Sequence, residues 1–261
     1  MQCQSLLAVF FEGYHHMRVQ KVRLSECNSL RDTVVVIDVI RAFTTTAFAF
    51  SCGVEKIILV GEVEEALRLH KRFPDALLGG EVQGIPIPGF HFDNSPVGME
   101  RAGSSLKDKT IIFRSSSGTQ GVVRSVHASR MLVSSFVSAE ATLNHLRSFS
   151  PQSISFVITG TTKGGFEDLA LADYLEYRLL SGNIDSAPYI ERVRQSPSGM
   201  AYAREAYPHF RKHDLEACCM VDKFPFAQEV FREENLFVLR PVSVGKGEPL
   251  PLRGEEPRQD R

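Results

Sequence analysis

The chain has 261 residues, 43% hydrophobic and 23% charged, with 30 basic and 31 acidic side chains and a net charge of −1. This is globular composition, long enough to bury a core without disulfide or metal staples. The balanced charge leaves no basic excess for a nucleic-acid backbone, and no long like-charge run marks an interaction tail. The five cysteines, Cys3, Cys27, Cys52, Cys218 and Cys219, are odd in number and form no CxxC pair; a reduced, intracellular protein fits this pattern. The apolar run 6–11 is too short to span a membrane and lacks the basic start and cleavage site of a signal peptide. The expected location is the cytoplasm, with no membrane partner.

Short β-branched runs alternate with longer helical stretches. Residues 34–37 read as a buried strand, 44–52 as a helix closed by Gly53, and 57–60 as the next strand. An amphipathic helix over 62–73 puts Val63, Ala66, Leu67 and Leu69 on its apolar side and stops at Pro74. A short strand at 76–78 leads into a Gly- and Pro-rich loop, 79–96, whose length favours a functional role. Strands at 110–113, 130–133 and 154–158 are each followed by a helix, over roughly 119–128, 139–149 and 166–180. Repeated strand–helix units predict an α/β fold, a mainly parallel sheet with flanking helices in an α/β/α layering. Residues 183–217 carry little strand character, and 224–242 can return one or two edge strands. The expected organisation is an α/β core over 1–182 and a smaller C-terminal helical subdomain over 183–261, ending in a frayed polar tail.

Ligands of open parallel sheets gather beyond the carboxyl ends of the strands. That rule selects Asp38 and Arg41 after the first strand, Glu81 after the short third one, and the loops 115–119 and 159–165. The run Ser115-Ser116-Ser117-Gly118-Thr119 enters a helix, where free N–H groups and small hydroxyl side chains suit an anion; plain N-capping explains the same residues. It lacks the lysine and spacing of a nucleotide P-loop. Thr44-Thr45-Thr46 opens another helix, as a cap plus core packing, and Gly160-Thr161-Thr162-Lys163-Gly164-Gly165 is a third polar entry. Asp38 can bind a metal, act as a nucleophile or cap the next turn. The haloacid-dehalogenase pattern, which needs a second Asp two residues on, is excluded by Ile40. Glu167 and Asp168 sit at a helix start, where the dipole favours them. The eight histidines show no zinc spacing, whereas a hard cation such as magnesium needs only a few carboxylates and water.

The order of these motifs carries a resemblance. Asp38-Val39-Ile40-Arg41-Ala42 with the threonine triplet, Gly79-Gly80-Glu81, Gly89-Phe90, Asn94-Ser95-Pro96, Ser117-Gly118-Thr119, Gly160-Thr161, Glu167-Asp168, and Asp214, Cys218, Asp222 and Phe224 follow one another as in the 2-phosphosulfolactate phosphatases. The chain resembles that family over roughly 34–226. The resemblance implies a magnesium-dependent phosphatase of a small phosphorylated 2-hydroxy acid, the family's named substrate being an intermediate of coenzyme M synthesis. It implies Asp38, Arg41, Asp168 and Cys218 as catalytic groups, with Asp38 the first and Cys218 the second choice for a covalent step. Thr44, Thr45, Ser115, Ser116, Ser117, Gly118, Thr119 and Thr161 become phosphate contacts, and Asp38 and Glu81 the magnesium ligands. Val82, His91-Phe92-Asp93 and Ser115-Ser116-Ser117 depart from the family's loops. They motivate an alternative, a non-catalytic binder of a small phospho-acid; an isomerase or lyase would share the anion loops. A homodimer remains open.

Overall fold

Ten strands form one mixed, mostly parallel sheet in the computed structural model, which describes residues 17–160 and 164–243. In chain order they are β1 (Arg18–Arg23), β2 (Thr33–Ile37), β3 (Lys56–Val60), β4 (Leu77–Val82), β5 (Ile85–Pro86), β6 (Thr110–Arg114), β7 (Arg130–Ser134), β8 (Ser153–Ile158), β9 (Ala227–Glu233) and β10 (Leu236–Val242). The helices are α1 (Ala42–Ser51), α2 (Val63–Arg72), α3 (Pro96–Ala102), α4 (Gly118–Arg124), α5 (Ala139–Phe149), α6 (Phe166–Leu180), α7 (Ala187–Gln195), α8 (Pro197–Ala203) and α9 (Lys212–Cys218). The α/β expectation holds.

The spatial order is β1-β8-β2-β7-β9-β10-β3-β6-β4-β5. Strands β1, β8, β2 and β7 are mutually parallel, as are β3, β6 and β4. Between the two blocks stands the β9–β10 hairpin, antiparallel to both neighbours. The returning strands therefore lie in the centre of the sheet, not at an edge. Residues 227–242 complete the sheet begun by residues 18–158, although helices α7 to α9 do precede them. Periodicity shows a strand's existence but not its position. Phe226, Ala227, Val230, Val238, Leu239 and Val242 are buried because both faces of the hairpin are covered.

Neighbouring strands twist by about 20–25°, so the five steps from β2 to β6 turn the sheet by roughly 100° or more. One face thereby wraps α1, whose residues from Ala42 to Phe50 are all buried. Its Phe43, Phe48 and Phe50 join Val34 and Val36 of β2, Ile57 and Leu59 of β3, Phe113 of β6 and Leu239 of β10 in a single core. This explains the composition of α1: a helix enclosed on every side needs no polar stripe. The other face is covered over the first block by α5 to α9 and over the second by α2.

Helix α4 bridges the blocks. A methyl group on Gly121 would lie 2.4 Å from Val36 Cγ1 and 3.1 Å from Thr159 Cγ2, while Gln120 donates to the Gly61 carbonyl at 2.8 Å. The carboxyl ends of β2, β8 and β6 thus meet beneath one short helix.

Phe48 stacks edge-on against Phe224 at 5.1 Å and is buried to 1%. Phe48→Ala should lower the free energy of unfolding by about 3–5 kcal/mol in urea titrations. A loss under about 1 kcal/mol would contradict the enclosure of α1.

Candidate active site

Asp38 follows β2 directly. Its Oδ1 accepts the Ala42 N–H at 3.0 Å, so it caps the first turn of α1, and its side chain is 4% exposed. A Cβ on Gly118 would lie 2.8 Å from Asp38 Oδ2 and 2.8 Å from Ala42 Cβ. Only a glycine lets the 115–119 loop approach this carboxylate so closely. The loop and Asp38 therefore share one pocket wall, as the sequence leads one to expect.

Burial first, and then repulsion from Glu81 and Glu167, push the Asp38 carboxyl up to about 7, against the Ala42 and Gly118 N–H groups that favour the charge. Asp168 is also raised well above the carboxylate range, by burial first and then by Glu167 and Asp38. Four carboxylates thus lie close enough to feel one another at the ends of β2, β4 and the start of α6.

Their hydrogen bonds separate their roles. Asp168 accepts from Val39 N–H at 2.9 Å, Thr159 Oγ1 at 3.1 Å and Gly160 N–H at 3.2 Å, and so braces the loop after β8 against the loop after β2. Glu81 accepts from Ser116 N–H at 2.6 Å, Ser116 Oγ at 3.1 Å and Gly84 N–H at 2.5 Å. Both its oxygens are occupied in shaping the serine loop. Glu167 differs: its Oε2 is buried and has no hydrogen-bond partner among the described residues. A buried charged oxygen left without a donor is costly, and a cation or trapped water is what such an atom calls for. Asp38 and Glu167, more than Glu81, have oxygens left for a metal. The described residues contain no cluster of three or more His, Cys, Asp or Glu side chains arranged to hold a metal ion.

The hydroxyls divide similarly. Ser115 and Thr119 are bonded to each other, with Ser115 N–H to Thr119 Oγ1 at 2.9 Å and Thr119 N–H to Ser115 Oγ at 3.0 Å. Ser116 is held by Glu81 and by Arg114 Nη1 at 3.0 Å. Ser117 makes no capping bond with its side chain. Thr44 Oγ1 donates to the Val39 carbonyl at 2.8 Å and Thr46 Oγ1 to Gln228 Oε1 at 2.7 Å, whereas the buried Thr45 hydroxyl has no partner among the described residues. Ser117, Gly118 and Thr45 are the members of the anticipated anion set left open. Thr161 lies outside the described residues, with Thr162 and Lys163.

Arg41 is buried and paired with Asp214 at 2.8 Å. Cys218 is wholly enclosed, and burial, then the Asp214 charge, pushes its thiol well up. A thiol kept protonated and away from solvent is unsuited to nucleophilic attack.

Several groups escaped sequence reasoning. Arg114 reaches the Glu81 carbonyl at 2.7 Å and anchors the serine loop. Ser135 follows the residue whose carbonyl accepts the Asp38 N–H, and its buried hydroxyl, like that of Ser138, has no partner among the described residues. A strand end paired level with Ile37 was the available signal, but register is not visible in a single strand's sequence.

An α/β sheet whose strand ends converge on a buried carboxylate group and a close-packed serine-glycine turn defines the general class, a protein with one polar site at the crossing of two parallel blocks. A sequence profile of the 2-phosphosulpholactate phosphatase family matches residues 19–230, and the chain belongs to this family. Among its relatives is a probable 2-phosphosulfolactate phosphatase of Bacillus subtilis, 31% identical over 209 residues that cover 80% of this chain and 86% of the relative. Another of the same description, from Caldicellulosiruptor saccharolyticus, is 29% identical over 80% of this chain and 92% of its own length. A third, from Carboxydothermus hydrogenoformans, reaches 38% identity over 57% of this chain and 60% of its own. No helix among the described residues is long and apolar enough to cross a membrane.

The raised Asp38 pKa has a consequence for stability. The native state resists losing this proton between the ordinary carboxylate value of 3.8 and about 7. The unfolded chain ionises freely there, so metal-free protein should lose stability as pH rises through that window, by at most ~1.4 kcal/mol per pH unit. Asp38→Asn removes the effect. In chelator it should melt above the wild type at pH 8 and level with it near pH 4; equal melting at both values would refute the assigned environment.

Proposed function

We propose that the protein is a magnesium-dependent phosphatase that hydrolyses the phosphate ester of a small 2-hydroxy acid, 2-phosphosulfolactate or a close analogue. The observation that carries this reading is the buried Glu167 Oε2 without a partner beside an Asp38 carboxyl held near neutrality. Carboxylates so crowded would repel a phosphate dianion, and a divalent cation between them reconciles the two. Family membership and the names of the relatives support the phosphatase activity.

In this reading Asp38 and Glu167 hold the metal, which supplies charge stabilisation to the phosphoryl oxygens and an acidified water. Gly118 brings the serine loop against Asp38, and the Ser117 and Thr45 hydroxyls donate to the oxygens of a phosphoryl group bound beside it. Glu81, Ser116 and Arg114 fix the loop in advance, so that its donors need not reorganise during the reaction. Asp168 holds the Val39 and Gly160 amides and so fixes the backbone on either side of Asp38. Arg41 offers guanidinium donors to an anionic group of the substrate. Beside the cation Asp38 would be held ionised, and its carboxylate is the group placed to attack phosphorus.

Phosphate release from 2-phospholactate and 2-phosphosulfolactate tests this directly. The wild type should turn over at least one of them with magnesium and not with chelator. Asp38→Ala and Glu167→Gln should each reduce kcat/KM by roughly 10³-fold, a loss of about 4 kcal/mol in transition-state stabilisation. Binding by calorimetry without release of phosphate would instead mark a non-catalytic binder. Magnesium should also raise the melting temperature at pH 8, and less so in Glu167→Gln. No shift in either protein would remove the metal site.

A further inference from the structure

Arg41 and Asp214 form a deeply buried salt bridge, in which the Asp214 side chain is wholly enclosed and that of Arg41 keeps 2% exposure. Asp214 uses both of its oxygens: Oδ2 accepts from Arg41 Nη1 at 2.8 Å and Oδ1 from Ser95 Oγ at 2.6 Å. Ser95 in turn accepts the Gly98 N–H at 2.9 Å, at the start of α3. Tyr202 of α8 lies under the guanidinium, 4.9 Å from ring centroid to Cζ, and is itself stacked on Phe210 at 4.2 Å and 7°. Two stretches distant in sequence, the start of α3 and the α8–α9 region, therefore converge around one arginine.

Such a pair is poor stabilisation. Removing two charges from water costs about as much as their attraction returns, and an apolar pair of the same volume would serve the core equally well. What the arrangement does supply is a guanidinium in one orientation. Asp214 takes Nη1, and the Nε and Nη2 groups have no protein acceptor among the described residues. Nε and Nη2 form one edge of the planar fork, whose geometry matches a carboxylate or sulfonate in a bidentate pair. Arg41 stands three residues after Asp38 on the connection into α1, and Tyr202, which lies under its guanidinium, is near enough to Glu81 to feel that charge, so the guanidinium belongs to the neighbourhood of the site's carboxylates.

We propose that Asp214, supported by Ser95 and Tyr202, is a positioning residue that fixes Arg41 to receive the second, non-phosphate anion of the substrate. The inference rests on the reading of the site as one for a phosphorylated hydroxy acid, and it assigns the acid group's partner. With Asp214 attached, the pair is neutral as a unit. Recognition then comes from donor geometry, not from net charge, and should discriminate between ligands with and without a planar acid group.

The test is calorimetry in magnesium with two phosphonates that cannot be hydrolysed, 2-methyl-3-phosphonopropanoate, which carries the carboxylate, and propylphosphonate, which lacks it. The ratio of the two dissociation constants is the readout. A merely structural loss would weaken both ligands alike, and a gain of net positive charge would strengthen both. The wild type should favour the carboxylate ligand at least tenfold. Asp214→Asn should cut that preference about tenfold, and Arg41→Lys, which keeps the charge without the fork, should do the same. Ser95→Ala should cut it about threefold and provides the answer should Asp214→Asn fail to fold. An unchanged ratio in folded Asp214→Asn, or in Ser95→Ala when the former is unfolded, overturns the proposal, as does a wild type that binds neither ligand or both equally. Because binding is read without turnover, a wild type that shows the preference yet releases no phosphate from any ester would sink the phosphatase reading and leave the positioning role standing.

Discussion

Helix α1 is enclosed by the sheet that wraps it, and its first turn is fixed by the carboxylate of Asp38. The hydrogen bond from Ala42 N–H to Asp38 holds the strand-to-helix connection, and the contact of Gly118 with both residues brings the serine loop against it. Most other features of the site follow from that junction. The loop can approach because position 118 has no side chain; α4 can then bridge to β2 and β8; and the strand ends of two oppositely directed blocks come together. Were Asp38 merely a cap, an Asn would serve without the penalty of a buried charge.

The penalty is compounded by neighbours. Glu81, Glu167 and Asp168 each press on Asp38 or on one another, and none is relieved by a cation among the described residues. Arg41 gives its Nη1 to Asp214, and Arg114 reaches the Glu81 carbonyl and Ser116. Proteins tolerate like charges at such distances mainly where function requires it. The distribution of hydrogen bonds separates a scaffold from a working set: Asp168 and Glu81 are saturated with donors and hold loops, whereas Asp38 and Glu167 keep oxygens in reserve. A site of this type is destabilised when empty and stabilised by what it binds.

Much of this was legible in the sequence. β-Branched runs gave the strands of both blocks, because buried parallel strands are apolar on both faces. The order of Asp38, the serine loop and Glu167-Asp168 pointed to one pocket. Three things were hidden. Strand β1, four of whose six residues are Arg, Gln or Lys, as suits an edge, resembles an exposed segment when read alone. The central place of β9 and β10 depends on pairings across the whole chain. The division of labour among hydroxyls and carboxylates depends on partners: nothing in Ser115-Ser116-Ser117-Gly118-Thr119 tells that Ser115 and Thr119 satisfy each other, or that Glu81 occupies Ser116. Residue type names a candidate; only the hydrogen-bond partners decide whether its atoms are free. The departures from the family's central loop illustrate the same point. His91 Nδ1 accepts the Leu78 N–H at 2.9 Å and Asp93 pairs with Arg211 at 2.7 Å, so both act as braces for the loop.

The position of the last strands bears on how the site is assembled. The two parallel blocks have no ladder to one another except through β9 and β10, and Asp214, which holds Arg41, lies just upstream of that hairpin. Residues before 183 therefore carry nearly all the anticipated chemistry yet cannot by themselves set its geometry. The β2–β7 pair and the β3–β6 pair are separated in the sheet by strands made some 100 residues later, and their relative placement, which brings Gly118 to Asp38, awaits them. Contacts of such long sequence separation close late because loop entropy must be overcome first. Strand ends and helix starts make the reactive groups available early in the chain, but the hairpin and α9 bring them to bear on one point, so that the C-terminal third is part of the active centre in the physical sense that the distances there depend on it.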